Sequence, residues 1–453
     1  MAFPKDFVFG CATAAYQIEG GAFEDGRGPS VWDMFCRKGG TIWQDHTGDV
    51  ASDHYHRWAE DVAIMKQIGL RGYRFSISWP RVLPAGVGEV NEAGLAFYDR
   101  LVDALLAAGV QPYVTLFHWD YPYELYCRGG WLNPDSPNWF ADYATLVAER
   151  LGDRVRHWMT LNEPQCFIGL GHHTGIHAPG DRLGLKEVLR AAHHALLAHG
   201  KGVQAIRAAA KAQPAIGFAP VGSVKMPATE SPADIEAARQ SMFALEGKNL
   251  WANTFWMDPV FFGRYPEEAW TNMADEMPEI HDGDMETISQ PLDFFGFNTY
   301  SGTFVKATPD GPRDVPFPDG HPITAFYWWV TPECMYWGPK FFYERYRLPI
   351  VVTENGMANV DWIALDGRVH DPQRIDYLQR HLLQLARAID EGVDVRGYFV
   401  WTLMDNFEWA EGYKQRFGIV YVDYPTGRRV LKDSAYWYRD VIATNGAILS
   451  SSD

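Results

Sequence analysis

The sequence predicts an α/β fold: a single (β/α)8 TIM barrel with extended loops at its C-terminal face, spanning residues 1–453 as one domain. Three observations carry that expectation. Eight runs of β-forming residues lie at 7–12, 72–79, 111–116, 157–161, 215–220, 292–300, 348–353 and 395–403. Helical or mixed connections separate them, the alternation that lays parallel strands beneath covering helices and, at eight units, closes into a barrel. No internal repeat or low-complexity linker interrupts the series. Length alone would allow about three domains, but barrels of this kind run long as one unit.

The first strand begins at Phe7 directly after Met1-Ala2-Phe3-Pro4-Lys5-Asp6. With no charged start followed by an apolar stretch, neither a signal peptide nor a spanning helix is expected. Between the second and third strands, Leu95, Tyr98, Val102 and Leu105 form one stripe at helical spacing. Ser136-Pro137, Ser231-Pro232 and Asp371-Pro372 each place a capping side chain before a proline suited to a first helical turn. The helix after Pro372 carries Ile375, Leu378, Leu382, Leu385 and Ile389 on one face, as a helix packed on a sheet requires. Residues 307–321, rich in Pro, Gly and Asp, read as a long loop after the sixth strand.

Forty basic residues against fifty-seven acidic ones leave a net charge of -17, which disfavours nucleic acid and anionic membranes as partners. The five cysteines, Cys11, Cys36, Cys127, Cys166 and Cys334, are odd in number, scattered and without a C-x-x-C pair. They suit a reducing compartment, so a cytoplasmic location is expected. His54 and His56, His172-His173 and His193-His194 match no recognised zinc spacing, and Gly217 to Gly222 lacks a phosphate-binding signature. No metal and no cofactor are expected.

Chemistry concentrates at strand exits. Thr160-Leu161-Asn162-Glu163-Pro164 and Thr353-Glu354-Asn355-Gly356 each put one glutamate where a β run stops, at the mouth where barrels of this class carry their sites. Pro164 is expected to hold Glu163 extended, and Gly356 to let the chain turn after Glu354. Two carboxylates flanking one bond are the minimum machinery of most glycosidases. Neighbouring exits supply what a hydroxyl-rich ligand needs: Gln17 after the first strand, Arg74 in the second, His118-Trp119 after the third, Asn298 and Tyr300 closing the sixth, and Trp401 ahead of Glu408-Trp409 at the eighth. Amides, a neutral imidazole and a carboxylate give directional hydrogen bonds, while flat aromatic faces suit the apolar side of a sugar ring.

The chain resembles glycoside hydrolase family 1, the retaining β-glucosidase family, from Phe7 to about Tyr438. The resemblance rests on residues 12–20 (ATAAYQIEG), 73–81 (YRFSISWPR), His118-Trp119-Asp120, the two glutamate strings and residues 401–409 (WTLMDNFEW). It implies a catalytic barrel hydrolysing small β-glucosides or cello-oligosaccharides, with Glu163 as general acid/base and Glu354 as nucleophile. It further implies that Gln17, His118, Asn162, Glu408 and Trp409 bind the non-reducing sugar, that Trp401 stacks beneath it, and that Arg74 and Tyr300 brace the nucleophile. With Arg74 and a tyrosine hydroxyl nearby, Glu354 should stay ionised, whereas like charge should hold the proton on Glu163. Gln165, Tyr126-Cys127-Arg128 and Trp328-Trp329 depart from the common family pattern on the side expected to hold the leaving group. Trp328 is accordingly a candidate contact for substrate, and Gln165 is expected to face the pocket entrance. Cys166, lacking a paired base, reads as a lining residue and not a nucleophile.

Overall fold

The computed structural model describes residues 3–450. Its barrel strands are β1 (Val8–Ala12), β2 (Gly72–Ser76), β3 (Gln111–Phe117), β4 (His157–Asn162), β5 (Ala215–Ala219), β6 (Phe294–Asn298), β7 (Ile350–Asn355) and β8 (Val395–Trp401). Each is parallel to its sequence neighbours, and β8 pairs with β1 to close the ring. All eight predicted runs therefore contain a barrel strand, though several ends move. The second stops at Ser76 because Trp79–Val82 turns into a short helix, and the sixth stops at Asn298, leaving Tyr300 beyond it. The seventh runs on through Asn355, so Glu354 belongs to the strand.

Large rings fill the barrel interior, and glycines paired with them on the adjacent strands make room for them. A Cβ on Gly10 would lie 2.5 Å from the Phe399 ring, and one on Gly217 would lie 2.2 Å from the Phe294 ring. These close the floor below the mouth, so the interior is packed core and not a channel.

The outer helices bury one face each. In the helix Glu92–Ala107, Leu95, Tyr98, Val102 and Leu105 are all buried, as their spacing predicts. In Pro372–Asp390, Leu378, Leu382 and Leu385 are buried, each contributing about 1.5–3 kcal/mol of transfer free energy. Ile375 and Ile389 are half-buried, and Tyr377 and His381 complete the inner face.

Of the three expected caps, only Ser231 acts as one, accepting from the Asp234 amide. Ser136 lies inside its helix, with Asp135 at the N-cap. Asp371 stands at its N-cap but is drawn away by Arg374 and by Ser434, whose amide and hydroxyl donate to it at 2.8 and 2.6 Å. Residues 307–321 also differ from expectation. Gly302–Thr308 and Gly311–Asp314 form a hairpin that joins Val224–Pro227 in a three-stranded sheet.

Candidate active site

Both glutamate-bearing strands lose register just before their glutamate. Along β4, Met159 pairs with Gly217 but Asn162 pairs with Ala219, so one residue of β4 is extra. Along β7, Val352 pairs with Phe297 and Glu354 with Asn298, which leaves Thr353 as the extra residue. Such bulges re-aim side chains that strict alternation would send to opposite faces.

Glu163 is not extended as expected; its φ is +46°. Its amide donates to the Ala219 carbonyl at 2.8 Å, and Pro164 starts a widened helical segment, Gln165–Thr174. A left-handed backbone accommodates both demands while keeping Pro164's neighbour out of the right-handed region. For a residue other than glycine this costs about 1–3 kcal/mol. Trp119 (φ +83°) and Trp409 (φ +49°) share the same backbone region beside the same cavity. Gly356 answers a different need from the expected turn: a Cβ there would lie 1.9 Å from the Trp401 carbonyl oxygen.

A buried polar network joins five strands. Arg74 Nη1 donates to Glu354 Oε1 at 2.6 Å, and Tyr300 OH donates to Glu354 Oε2 at 2.6 Å. Arg74 Nη2 donates to Asn162 Oδ1 at 2.6 Å, while its Nε reaches Thr115 Oγ1 at 3.0 Å. Asn298 Nδ2 donates to both Asn162 Oδ1 and Glu163 Oε1, each at 2.9 Å. The Asn162 amide is thereby oriented so that its Nδ2 faces His118 Nε2 at 3.1 Å. His118 accepts there, which places its ring proton on Nδ1. Burial and the Arg74 charge push the imidazole well below its ordinary value, keeping it neutral.

Burial raises both glutamates, and their neighbours separate them. Glu163 is pushed up to about 8 by burial and then by the charge of Glu354, against the Asn298 hydrogen bond. Burial also pushes Glu354 up, so it is not left at an ordinary carboxylate value, but Arg74, Tyr300 and Asn298 all pull it back toward the ionised form. The proton is accordingly held more firmly on Glu163.

Across the mouth, Gln17 Nε2 donates to the Phe407 carbonyl at 2.9 Å and lies 3.2 Å from Asn406 Oδ1 and 3.3 Å from Glu408 Oε2. Asp405 anchors the segment bearing Glu408, accepting from Lys432 Nζ at 2.8 Å and Arg416 Nη1 at 2.6 Å. Glu408 is pushed up to about 8 by burial and the charge of Glu354. Trp119 Nε1 donates to the Asn162 carbonyl at 2.9 Å, and its ring centre lies 4.4 Å from that of Trp409. His118 stacks between Trp401 and Trp409, its ring centre 5.7 and 5.9 Å from theirs. Glu163, Glu354, His118, Trp401, Glu408 and Trp409 all line one cavity of about 430 Å³. Gln17 Oε1 and His118 Nδ1 are buried at its edge with no protein hydrogen-bond partner.

A barrel mouth holding two buried glutamates, one clamped by arginine and tyrosine and one held in protonating surroundings, matches a known protein family along nearly the whole chain. The model for glycosyl hydrolase family 1 matches residues 1–447. The chain belongs to that family. It is 46% identical to β-glucosidase A of Thermotoga maritima over 446 residues, covering 98% of each chain. It is likewise 46% identical to a 1,4-β-D-glucan glucohydrolase of Thermotoga neapolitana over 449 residues, covering 98% of this chain and 99% of the relative. A solved structure of β-glucosidase from Thermotoga maritima in complex with glucoimidazole superposes with a TM-score of 0.90 at 45% identity, over 98% of this chain and 99% of that one.

Within this family 1 barrel the expected residues Gln17, Arg74, His118, Trp119, Asn162, Glu163, Asn298, Tyr300, Trp328, Glu354, Trp401, Glu408 and Trp409 gather at the mouth. Gln165 does not face the entrance. It is buried, exchanging hydrogen bonds with the backbone of Val221 at 3.1 and 3.2 Å, and so ties the exits of β4 and β5 together. Of the Trp328-Trp329 pair only Trp328 lines the cavity, against Tyr300 at 4.8 Å between ring centres; Trp329 stacks on Phe317. Tyr126 donates to Asp181, which also holds His172, and Cys127 is exposed. Cys166 lines the cavity as expected, its thiol pushed well up by burial and by Glu163.

Several contributors escaped the sequence reading. Trp251 and Ile176 reach the cavity from loops, Phe326 and Glu411 line it too, and Thr115 braces Arg74. Thr353 stands inside one of the strings, yet only the bulge reveals that its hydroxyl faces inward.

Proposed function

We propose that this chain is a retaining β-glucosidase, removing terminal non-reducing β-D-glucosyl residues from small β-glucosides and cello-oligosaccharides. In this reading the ionised Glu354 attacks the anomeric carbon while Glu163 gives its proton to the departing oxygen. A covalent glycosyl-enzyme forms, Glu163 then takes a proton from water, and the attack of that water on the anomeric carbon frees Glu354. Arg74 and Tyr300 hold the nucleophile's two oxygens, and the Asn162 amide stands where a sugar 2-hydroxyl would meet it. The observation that carries the reading is the asymmetric pair: one glutamate with a donor at 2.6 Å on each oxygen, the other raised to about 8. Two general acids or two nucleophiles would not call for such unlike surroundings.

Glu408 and Gln17 are assigned to the hydroxyls of the glucosyl unit, and Trp401 to its apolar face. The unpaired Gln17 Oε1 and His118 Nδ1 support this, since buried polar atoms normally find a partner and ligand hydroxyls would supply it. A 6-phospho-β-glycosidase is the nearest alternative, and Glu408, protonated or ionised, offers the added phosphate no cation to pair with. The names of the relatives support a glucosyl preference and, through the glucan glucohydrolase, a part in cellulose breakdown. We read residues 1–453 as one catalytic unit acting in the cytoplasm without metal, cofactor, nucleic acid or membrane. No helix among the described residues is long and apolar enough to cross a membrane.

The anomeric outcome tests the reaction class. Proton NMR of hydrolysis should show β-glucose as the first product, with the α form appearing only at the rate of mutarotation. An α product formed first would exclude double displacement.

A further inference from the structure

We infer that Thr353, the residue before the nucleophile, is a positioning residue for the acid/base on the far side of the cleft. The inference rests on the reading of Glu163 as acid/base. Thr353 is the bulged residue of β7, so it and Glu354 both turn into the mouth instead of alternating across the sheet. Its Oγ1 donates to Asn298 Oδ1 at 2.6 Å. Asn298 Nδ2 in turn donates to Glu163 Oε1 at 2.9 Å. One hydroxyl thus anchors the amide that holds the acid/base carboxyl, while the next residue in the chain is the nucleophile.

The orientation of that hydroxyl is built in. Gly296 lies beneath Thr353, and a Cβ on it would come within 2.9 Å of Thr353 Cγ2. The absence of a side chain on β6 gives the methyl its seat. Threonine's two γ groups share one stiff rotamer choice, so seating the methyl over Gly296 aims the oxygen at Asn298. The Thr353 carbonyl is fixed as well, accepting from Arg74 Nη1 at 3.1 Å. Thr353, Asn298 and Glu354 are fully or nearly fully buried, so no water competes for these bonds. The network couples the two carboxyl groups mechanically: a shift of β7 that moves the nucleophile also moves the donor on the acid/base.

The test is Thr353→Ala, which removes the hydroxyl without adding bulk, beside Thr353→Ser and Thr353→Val. The readouts are kcat/KM on cellobiose and on a dinitrophenyl β-glucoside, and the basic limb of the pH profile. Losing an oriented donor to Glu163 should raise the pKa of that carboxyl, moving the basic limb up by about half a pH unit. Cellobiose, whose leaving oxygen needs a proton, should lose about tenfold, and the dinitrophenyl substrate less than about threefold. Thr353→Ser should show a smaller shift in the same direction. Equal losses on both substrates with an unmoved limb would reduce Thr353 to packing and overturn the inference, as would wild-type behaviour in Thr353→Ala or an effect confined to the bulkier Thr353→Val. If Glu163→Ala itself shows no leaving-group dependence, the acid/base reading fails first. If it does and Thr353→Ala does not, only the present inference fails. Should Thr353→Ala not fold, Thr353→Ser with the same two substrates decides, because it keeps the hydroxyl but frees its rotamer: a smaller shift in the same direction supports the inference, and none overturns it.

Discussion

The ends of β4 and β7 are alike in backbone and unlike in chemistry. Each strand carries an irregular register over its last residues, and each delivers a glutamate that is almost wholly buried. At β7, a guanidinium and a phenol meet the two oxygens of Glu354 at 2.6 Å each. At β4, Glu163 receives the Asn298 amide at 2.9 Å, a neutral donor, and its backbone is left-handed. Burial raises both carboxyl groups, and the neighbours set them apart. Division of labour between two identical side chains therefore lives in other strands of the barrel, in Arg74 on β2 and in Asn298 at the end of β6.

The largest expected effect breaks the β7 side. Glu354→Ala should lower kcat/KM by at least about 10⁴-fold, as loss of a nucleophile does, and by a similar factor for good and poor leaving groups. A loss that depends strongly on the leaving group would exchange the two roles.

Next comes the β4 side. Glu163→Ala should lower kcat/KM on cellobiose by about 10²–10⁴-fold, the usual scale of general acid catalysis, while a dinitrophenyl β-glucoside is largely spared. The sign of the pH dependence follows from the raised carboxyl. Glu163 is protonated and competent below about 8, so wild-type kcat/KM on cellobiose should fall as pH rises through that value. On the dinitrophenyl substrate the Glu163→Ala variant should lose this basic limb. A limb that survives belongs to Glu408, which is also raised to about 8, and would contradict the assignment.

The smallest effect concerns the brace beneath β4. Gln165→Ala should destabilise the fold by about 1–2 kcal/mol, the scale of two buried amide hydrogen bonds. Denaturant unfolding would measure it. The ratio of kcat/KM between aryl glucosides and cellobiose should not move, because the side chain is tied to Val221 and not to the cavity. A changed ratio with unchanged stability would return Gln165 to the entrance.

The barrel was legible because strand and helix runs alternate at eight places, and the site because its residues cluster at strand exits. What escaped was set by contacts between distant segments. Periodicity cannot show that Thr353 is an extra residue, since a bulge is defined by the partner strand. Pro164 argued for an extended Glu163, but the Ala219 carbonyl decided its backbone. Gln165 looked available to solvent because a polar amide next to a reactive acid invites that reading, and the Val221 backbone that claims it is 56 residues away. Gly356 was recognised as necessary for the wrong reason, because the Trp401 carbonyl that crowds it comes from another strand.

The central claim is that Glu354 forms a bond to the sugar. A 2-deoxy-2-fluoro β-glucoside with a dinitrophenolate leaving group tests it directly, because fluorine slows both steps and the activated leaving group lets the intermediate accumulate. Mass spectrometry of the intact protein should show one added fluoroglucosyl group, and proteolysis should place it on the peptide containing Glu354. A label on Glu163, or steady turnover with no adduct, would contradict the account.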